Sequence, residues 1–304
     1  MSSLRALFFC SSVKLLIRRR DWGPSDALVR RAQRLFGAPP LFQRMRSSGV
    51  RITRTQPPDP LGEWVVAPQA GSRTVLYLHG GGYVAGSAAS YRPIVAAFAR
   101  GVPAQVFAPN YRLAPDHPYP AALDDAERAY EWLLSRGIPS KAIAIAGDSA
   151  GGGLTLALLM RLRDKGAALP ACAVLFSPWT DLAGTGASLH SNDGRDAMFR
   201  PENITAFATC YAPPATWHDP GVSPVYGRPD GLPPLHFQLG ADELLRDDAV
   251  RVHERVKSSG GSSELIIYDG VFHVWQMLDG LMPEAAEALA RACAFVSGCV
   301  TLEE

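Results

Sequence analysis

Eight short runs of β-forming residues recur along this chain of 304 residues, and helical segments separate the later runs. The later runs are continuously aliphatic, which is typical of strands covered on both faces, as in a parallel sheet. Helices that connect such strands cross over the sheet in a right-handed sense and cover its faces. The runs are Val50–Arg54, Glu63–Ala67, Thr74–Leu78, Gln105–Pro109, Ala142–Ala146, Cys172–Phe176, Leu235–Leu239 and Glu264–Tyr268. The pattern predicts an α/β fold, a single domain over residues 1–304 with a mostly parallel, eight-stranded sheet flanked by helices.

The connection between the sixth and seventh runs breaks this rhythm. Residues 181–232 are rich in Pro, Gly, Asn, Trp and Tyr, and they contain one helical piece near Glu202–Tyr211. A connection of this length is too long for an ordinary loop in a compact domain, and such insertions often serve as lids. We expect residues 1–50 and 181–232 to form a helical cap, or lid, over the carboxyl edge of the sheet. Regular helices are expected at Ala121–Ser135, Gly152–Lys165, Asp247–Ser258 and Pro283–Ser297.

The charge of the chain is balanced overall but uneven along its length. A net charge of +1 gives no general attraction to nucleic acid. Residues 1–54 nevertheless carry twelve Lys or Arg residues against two acids, so the rest of the chain is net negative by about nine. We interpret the basic segment mainly as solvated helix faces, with a weak contact to membrane surfaces as the alternative.

The first seventeen residues are mildly apolar, but Arg5, Lys14 and four Ser residues interrupt them. They make a poor signal peptide, and no run reaches the roughly 18 apolar residues of a membrane span. We therefore expect an amphipathic helix and a cytoplasmic protein without a transmembrane segment. The five Cys residues are scattered and lack metal-site spacing, so we expect free thiols and no bound metal. The sequence leaves open a homodimer.

The fifth run ends in the sequence Gly147-Asp148-Ser149-Ala150-Gly151, which fits the pattern G-x-S-x-G. It stands directly after a strand and directly before a helix, the context in which the pattern marks a nucleophile on a sharp turn. The glycines are expected where a Cβ atom would strike the neighbouring strand or helix. A glycine-rich turn that binds phosphate is the alternative, and the pattern alone does not decide between them.

A second glycine-rich turn, His79-Gly80-Gly81-Gly82, follows the third run. It could be only a tight turn. As a functional element it would be an oxyanion hole, in which the N–H groups of Gly81, Gly82 and Ala150 point at a developing negative charge. Each such donor contributes on the order of 3 kcal/mol of transition-state stabilisation. We expect His79 itself to anchor the turn.

The general base is expected after the last strand, where His273 follows a Gly turn. The acid that orients it is expected after the seventh run, where Asp242 and Glu243 are the two candidates. The resulting chain order is serine, acid and histidine, which is the order of the α/β-hydrolase triad. Ser149 and His273 are thus the predicted nucleophile and base.

From about Leu76 to Val274 the chain resembles the hormone-sensitive-lipase-like carboxylesterases. The motifs that carry the resemblance are HGGGY (79–83), YRLAPDHPYPAALDD (111–125), GDSAGG (147–152), SPWTDL (177–182), VSP (222–224), DELLRDD (242–248) and GVFHVW (270–275). The resemblance implies an α/β-hydrolase that needs no cofactor. It would hydrolyse small-molecule acyl esters of short to medium chain length through an acyl-enzyme.

The acid motif departs from the family pattern, which commonly reads Asp-Pro-Leu. Without a gap, the pattern Asp-Pro-Leu-Arg-Asp falls on residues 243–247, which places the acid on Glu243, thirty residues before His273. We therefore predict Glu243 as the acid and keep Asp242 as the alternative.

Aromatic and sulphur side chains of the cap segments are candidate pocket residues. Tyr83, Met198 and Trp217 are predicted to contact substrate, and Trp179 and Phe199 to line the same pocket; for each aromatic the alternative is packing inside the core of the lid. Two other functions remain open. An amidase or peptidase would use the same triad, although no polar specificity pocket is evident. A non-catalytic small-molecule receptor would be expected to lose part of the machinery, which is present here.

Overall fold

Every strand that the sequence predicts is present in the computed structural model, which describes residues 2–18, 25–36 and 49–300. The strand ends shift by at most two residues from the predicted ones. The strands are β1 (Arg51–Arg54), β2 (Gly62–Val66), β3 (Thr74–Leu78), β4 (Gln105–Pro109), β5 (Ile143–Asp148), β6 (Cys172–Phe176), β7 (Leu235–Gly240) and β8 (Ser263–Tyr268). They form one sheet in the order β1-β2-β4-β3-β5-β6-β7-β8. An eight-stranded, mostly parallel sheet is thus present, as the sequence predicts.

From β4 to β8 along the sheet the neighbouring strands pair in parallel, whereas the pairs β1–β2 and β2–β4 are antiparallel. All residues of β3, β5, β6 and β7 are buried, whereas β1 and β8 at the two edges are partly exposed. Successive residues of a strand point to opposite faces. Accordingly Leu76 belongs to one hydrophobic core, and its neighbours Val75 and Tyr77 belong to the other.

The helices for which the sequence predicts bounds agree with the structure to within two residues, but the sequence indicated neither the helix at Arg92–Gly101 nor the short one at Ser188–Ser191. The helices are α1 (Leu4–Val13), α2 (Ser25–Phe36), α3 (Arg92–Gly101), α4 (Ala121–Ser135), α5 (Ala150–Asp164), α6 (Ser188–Ser191), α7 (Pro201–Tyr211), α8 (Arg246–Ser258) and α9 (Pro283–Cys299). Helix α1 continues as a π-helical turn over Lys14–Arg18. Short 3-10 turns lie at Ser140–Ala142, Pro214–Thr216, Pro224–Tyr226 and Trp275–Leu278.

The N-terminal helices lie against part of the long insertion of residues 181–232. The Arg18 guanidinium donates to the carbonyl of Phe199 and pairs with Asp193. Residues 1, 19–24 and 37–48 of the predicted cap lie outside the described residues. Within the described part of the chain, no helix is long and apolar enough to cross a membrane.

Candidate active site

Ser149 stands at a sharp turn between the end of β5 and the start of α5. Its backbone has φ 53° and ψ −123°, a conformation that L-residues rarely adopt and that stores strain. Four backbone hydrogen bonds hold the turn. The Ser149 N–H donates to Phe176 O (2.9 Å), and the Ser149 carbonyl accepts from the N–H groups of Trp179 (2.8 Å), Gly152 (3.0 Å) and Gly153 (3.1 Å). The strain is therefore maintained by β6 and α5 together, and Ser149 faces a cavity at the N-terminus of α5.

The glycines of this turn are required for clearance, as the sequence predicts. A Cβ atom on Gly151 would lie 2.0 Å from the carbonyl oxygen of Leu78, and one on Gly147 would lie 2.4 Å from the carbonyl oxygen of Gly151. Both obstacles are backbone atoms, which cannot rotate away as a side chain can. Helix α5 consequently starts in direct contact with the ends of β3 and β5.

His273 and Glu243 form a buried hydrogen-bonded pair beside Ser149. The His273 Nδ1 and Glu243 Oε2 atoms are 2.7 Å apart, and only 4% of His273 and 2% of Glu243 is exposed. The other carboxylate oxygen, Oε1, accepts from the Ser177 hydroxyl (2.7 Å) and from the Gly240 N–H (2.6 Å). Because both oxygens are engaged, the carboxylate has one orientation. The Nε2 atom of His273 then lies on the side of the ring that faces the cavity. This Nε2 atom is buried and makes no hydrogen bond within the described residues.

Ser177 contacts this pair, and the sequence reasoning did not single it out. Its hydroxyl binds Glu243 and lies 3.4 Å from the Val274 N–H, the residue after His273. Its backbone φ of +43° aims the side chain away from the ordinary strand direction. The available signal was its position at the carboxyl end of β6, within the motif SPWTDL. Its partners Glu243 and Val274 follow it by 66 and 97 residues, and nothing in the sequence links them to Ser177.

The pKa of His273 is raised above its ordinary value of 6.5. Burial alone lowers this pKa, because a charged imidazolium loses its hydration. The hydrogen bond to Glu243 and the negative charges of Glu243, Asp196 and Asp148 outweigh burial. The neighbouring carboxylates therefore stabilise the protonated imidazole of His273.

Asp242, the alternative acid, points away from His273. Its carboxylate pairs with Arg195, and 38% of its side chain is exposed. Successive residues beyond the end of β7 diverge in direction, so only one of the two carboxylates reaches the imidazole. The structure brings Glu243 to His273 and leaves Asp242 at the surface.

The turn after β3 brings Gly81 and Gly82 into the same cavity as Ser149. Both adopt positive φ, +114° and +62°, which glycine tolerates without strain. Within the described residues, the N–H groups of Gly81, Gly82 and Ala150 donate no hydrogen bond to another protein group. These donors are therefore available to a ligand atom beside Ser149.

Asp148 and His79 hold this turn in place. The Asp148 carboxylate accepts from the Gly80 N–H (3.0 Å) and the Tyr77 hydroxyl (2.7 Å). Burial raises the pKa of Asp148 to about 7, although these hydrogen bonds oppose the shift. His79 is stacked on Tyr111 with ring centroids 4.2 Å apart, and burial lowers its pKa to about 4, so it is neutral at pH 7. Its position agrees with the anchor that the sequence predicts.

The cavity in front of Ser149 has a volume of about 390 Å³, and its wall is almost entirely apolar. Helices α1 and α2, the insertion and the segment after β8 all contribute. The apolar wall residues from these four elements are Phe9, Val13, Ile17, Leu35, Phe36, Met198, Phe199, Ile204, Phe207, Phe272, Val274, Met277 and Leu278. Pockets of this size and character bind small, largely apolar ligands.

Two of the predicted pocket residues lie elsewhere. Met198, Trp179 and Phe199 do line the cavity, whereas Tyr83 and Trp217 do not. Tyr83 is buried behind it and stacks on Tyr211 at a centroid distance of 3.7 Å. Trp217 donates its indole N–H to the carbonyl of Ala212 and packs inside the insertion. Both aromatics stabilise the insertion, which corrects the expectation that they contact substrate.

Residues that could hold a metal were sought among the His, Cys, Asp and Glu side chains. In residues 2–18, 25–36 and 49–300, no three of them form a group that could bind a metal ion.

The chain is similar to proteins of known activity. Residues 75–277 match the sequence profile of a family described as alpha/beta hydrolase fold. An acetyl-hydrolase of Streptomyces hygroscopicus is 40% identical over 234 residues, which cover 77% of this chain and 78% of that protein. An esterase of Acinetobacter venetianus is 35% identical over 270 residues, which cover 87% and 85%. Among solved structures, an esterase from the bacterial hormone-sensitive lipase family superimposes with a TM-score of 0.89 at 35% identity and covers 99% of this chain and 100% of that one.

Proposed function

Because this chain belongs to the alpha/beta hydrolase family and is a carboxylic ester hydrolase, we propose that it cleaves neutral acyl esters through a Ser149-His273-Glu243 triad. The observation that carries the proposal is the convergence on one apolar cavity. Ser149, His273 and the glycines of the turn after β3 all line it, and Glu243 lies 2.7 Å behind the imidazole.

The triad assigns one role to each member. The Ser149 hydroxyl attacks the ester carbonyl and gives its proton to His273 Nε2, which later returns it to the leaving alcohol. Glu243 accepts from Nδ1–H, so the free lone pair of the neutral ring is on Nε2, the atom next to the cavity. The negative charge of Glu243 also stabilises the imidazolium that forms when the proton arrives.

The negative charge that develops on the carbonyl oxygen requires donors already in place. The N–H groups of Gly81, Gly82 and Ala150 are proposed as these donors, since each is free of protein partners within the described residues. Asp148 contributes indirectly, because its hydrogen bond from the Gly80 N–H fixes the turn that carries two of them. The cycle ends when water attacks the acyl-enzyme with His273 again as the base.

The cavity favours acyl groups of short to medium length. Its volume of about 390 Å³ is at the lower end of the range for small-molecule sites, and its wall offers hydrophobic contact along its whole length. Apart from Asp148, Ser149 and His273, the described residues of the wall offer few polar groups that could select an amide or a peptide side chain, which favours esters over amides. The complete triad argues against a receptor that binds without cleaving.

Hydrolysis of p-nitrophenyl esters from acetate to dodecanoate, compared with the matching p-nitroanilides, tests this proposal. We expect turnover of the esters with a maximum at short to medium chain length and at least a hundredfold slower turnover of the anilides. A fluorophosphonate should label Ser149, and Ser149→Ala should abolish both labelling and turnover while the far-UV circular dichroism stays unchanged. Anilides cleaved as fast as esters would favour the amidase alternative.

A further inference from the structure

The outward side of helix α1 exposes a row of large apolar side chains. The exposed fractions are 86% for Leu4, 51% for Leu7, 66% for Phe8, 58% for Leu15 and 55% for Leu16. We call these five residues the outer face of α1. Scattered apolar residues are normal on a protein surface, but five on one short helix and its π-helical extension form a patch.

The opposite side of the same helix is fixed to the protein. Phe9, Val13 and Ile17 line the cavity in front of Ser149, and Ala6 is fully buried. The helix is therefore one layer of structure, with the apolar cavity on one side and the outer face on the other. Since an α-helix is about 10 Å in diameter, whatever binds the outer face lies within that distance of the cavity.

Hydrogen bonds hold α1 against the segment that carries His273. The Ser2 hydroxyl donates to the Asp269 carbonyl (2.9 Å), and the Cys10 thiol donates to the Gly270 carbonyl (3.2 Å). The Ser3 N–H donates to the Glu284 carboxylate (2.6 Å). The outer face is thus the back of a positioned helix, and its exposure is a property of the folded protein.

The charged side chains that α1 itself carries are positive. Arg5 and Lys14 are exposed and donate to the backbone carbonyls of Leu281 and Gly194, and neither forms an ion pair within the described residues. Residues 2–18 contain no Asp or Glu. On α2, Arg30 and Arg34 are exposed as well. Apolar residues flanked by cations on one helix are typical of helices that lie in the interface of an anionic lipid layer.

We propose that the outer face of α1 docks on an anionic lipid surface and holds the cavity next to esters dissolved in that surface. A second copy of the chain fits the patch less well, because a twofold interface places the same surface on both partners. It would bring the Arg5 and Lys14 charges of two molecules together, whereas anionic headgroups neutralise them.

Co-sedimentation with vesicles tests the proposal with the full chain. All variants carry Ser149→Ala, so the lipid is not hydrolysed and binding is measured apart from the proposed ester chemistry. Vesicles of phosphatidylcholine alone are compared with vesicles that also contain phosphatidylglycerol, at low and high salt. We expect binding to the anionic vesicles, weakened by high salt, and at least a tenfold loss of binding when Leu4, Phe8, Leu15 and Leu16 are all changed to Ser.

Leu61→Ser with Ile267→Ser is the matched control, because these residues are also large, apolar and about half exposed but lie on other elements. We expect this control to bind like the parent protein. Arg5→Glu with Lys14→Glu keeps the apolar residues and should lower binding to anionic vesicles only. With Ser149 intact, the four-Ser variant should hydrolyse p-nitrophenyl acetate at the parent rate, which shows that it is folded.

Equal binding by the parent and the four-Ser variant would overturn the proposal, as would a parent protein that binds neither kind of vesicle. Light scattering after size exclusion gives the third outcome. A parent dimer that the four-Ser variant dissociates would assign the outer face to a second copy and refute lipid docking.

Discussion

Glu243→Gln should strongly lower kcat, whereas the corresponding exchange of the neighbouring acid, Asp242→Asn, should not. Glu243→Gln keeps the size of the side chain, and its amide oxygen can still accept from Ser177 and Gly240. The amide nitrogen then faces His273 Nδ1 and can only donate a hydrogen bond. Nδ1 can accept this hydrogen bond only when it carries no proton. The ring proton moves to Nε2, the atom that has to take the proton of Ser149.

The expected loss follows from that tautomer and from the missing charge. In serine proteases, the corresponding acid-to-amide exchange lowers kcat by ~10⁴. We expect a loss of about a hundredfold or more here, equivalent to at least ~2.7 kcal/mol of transition-state stabilisation. Asp242→Asn removes only a surface pair with Arg195, and such pairs contribute about 0–1 kcal/mol to stability. Its kcat should stay within about twofold of the parent.

Steady-state hydrolysis of p-nitrophenyl butyrate by the two variants, with circular dichroism as the folding control, measures both effects. KM should change little, because neither side chain lines the cavity. If Asp242→Asn lost more kcat than Glu243→Gln, the acid would be Asp242 and the tautomer argument would be wrong.

Three further expectations follow from the site. In Gly82→Val the new Cβ would lie 2.9 Å from a ring carbon of Phe207, so the proposed oxyanion donor is displaced and kcat should fall by roughly a hundredfold. The control Gly137→Val is also at positive φ but has open space around it, and it should lose only stability. The acidic limb of the kcat/KM profile should have an apparent pKa above 6.5, because His273 must be neutral to act and its pKa is raised; a limb below 6.5 would contradict the effect of Glu243. Val13→Trp should fill the cavity and shift preference to shorter acyl chains, whereas Leu15→Trp on the outer face should not; equal shifts would mean that α1 does not shape the pocket.

The positions of the strands were predictable from the sequence because a local residue pattern marks each strand. Each buried strand is a continuous aliphatic run with a breaker at either end, and the eight runs need no knowledge of their partners. Helix α3 was not predicted because its ten residues give only a short periodic pattern, although Pro93 in its first turn is a common start signal. Glu243 was chosen over Asp242 from sequence register, and the geometry around His273 supports that choice.

The pocket was far less predictable, because its wall is assembled from four distant elements. Nothing local distinguishes Met198, which lines the cavity, from Trp217, which packs inside the insertion. The same holds for Ser177, whose partner Glu243 is 66 residues away. Polar contacts of this range depend on the folded backbone, and the homodimer and cytoplasmic location expected from the sequence stay predictions.

The attachment of α1 also restricts the order in which the protein can assemble. Ser2 and Ser3 bind partners that follow them by 267 and 281 residues. Helix α1 can therefore dock only after nearly the whole chain has folded. Contacts between such distant residues form late, because the loop between them must be closed first. Neither the sheet nor the Glu243–His273 hydrogen bond includes a residue of α1, whereas the cavity wall does. During refolding we expect hydrolysis of p-nitrophenyl acetate to return with the circular dichroism and hydrolysis of the decanoate to return later. If both activities recovered together, α1 would dock at the same time as the sheet forms. If activity on the decanoate recovered later, the ratio of the two activities would report how much of the protein has α1 docked.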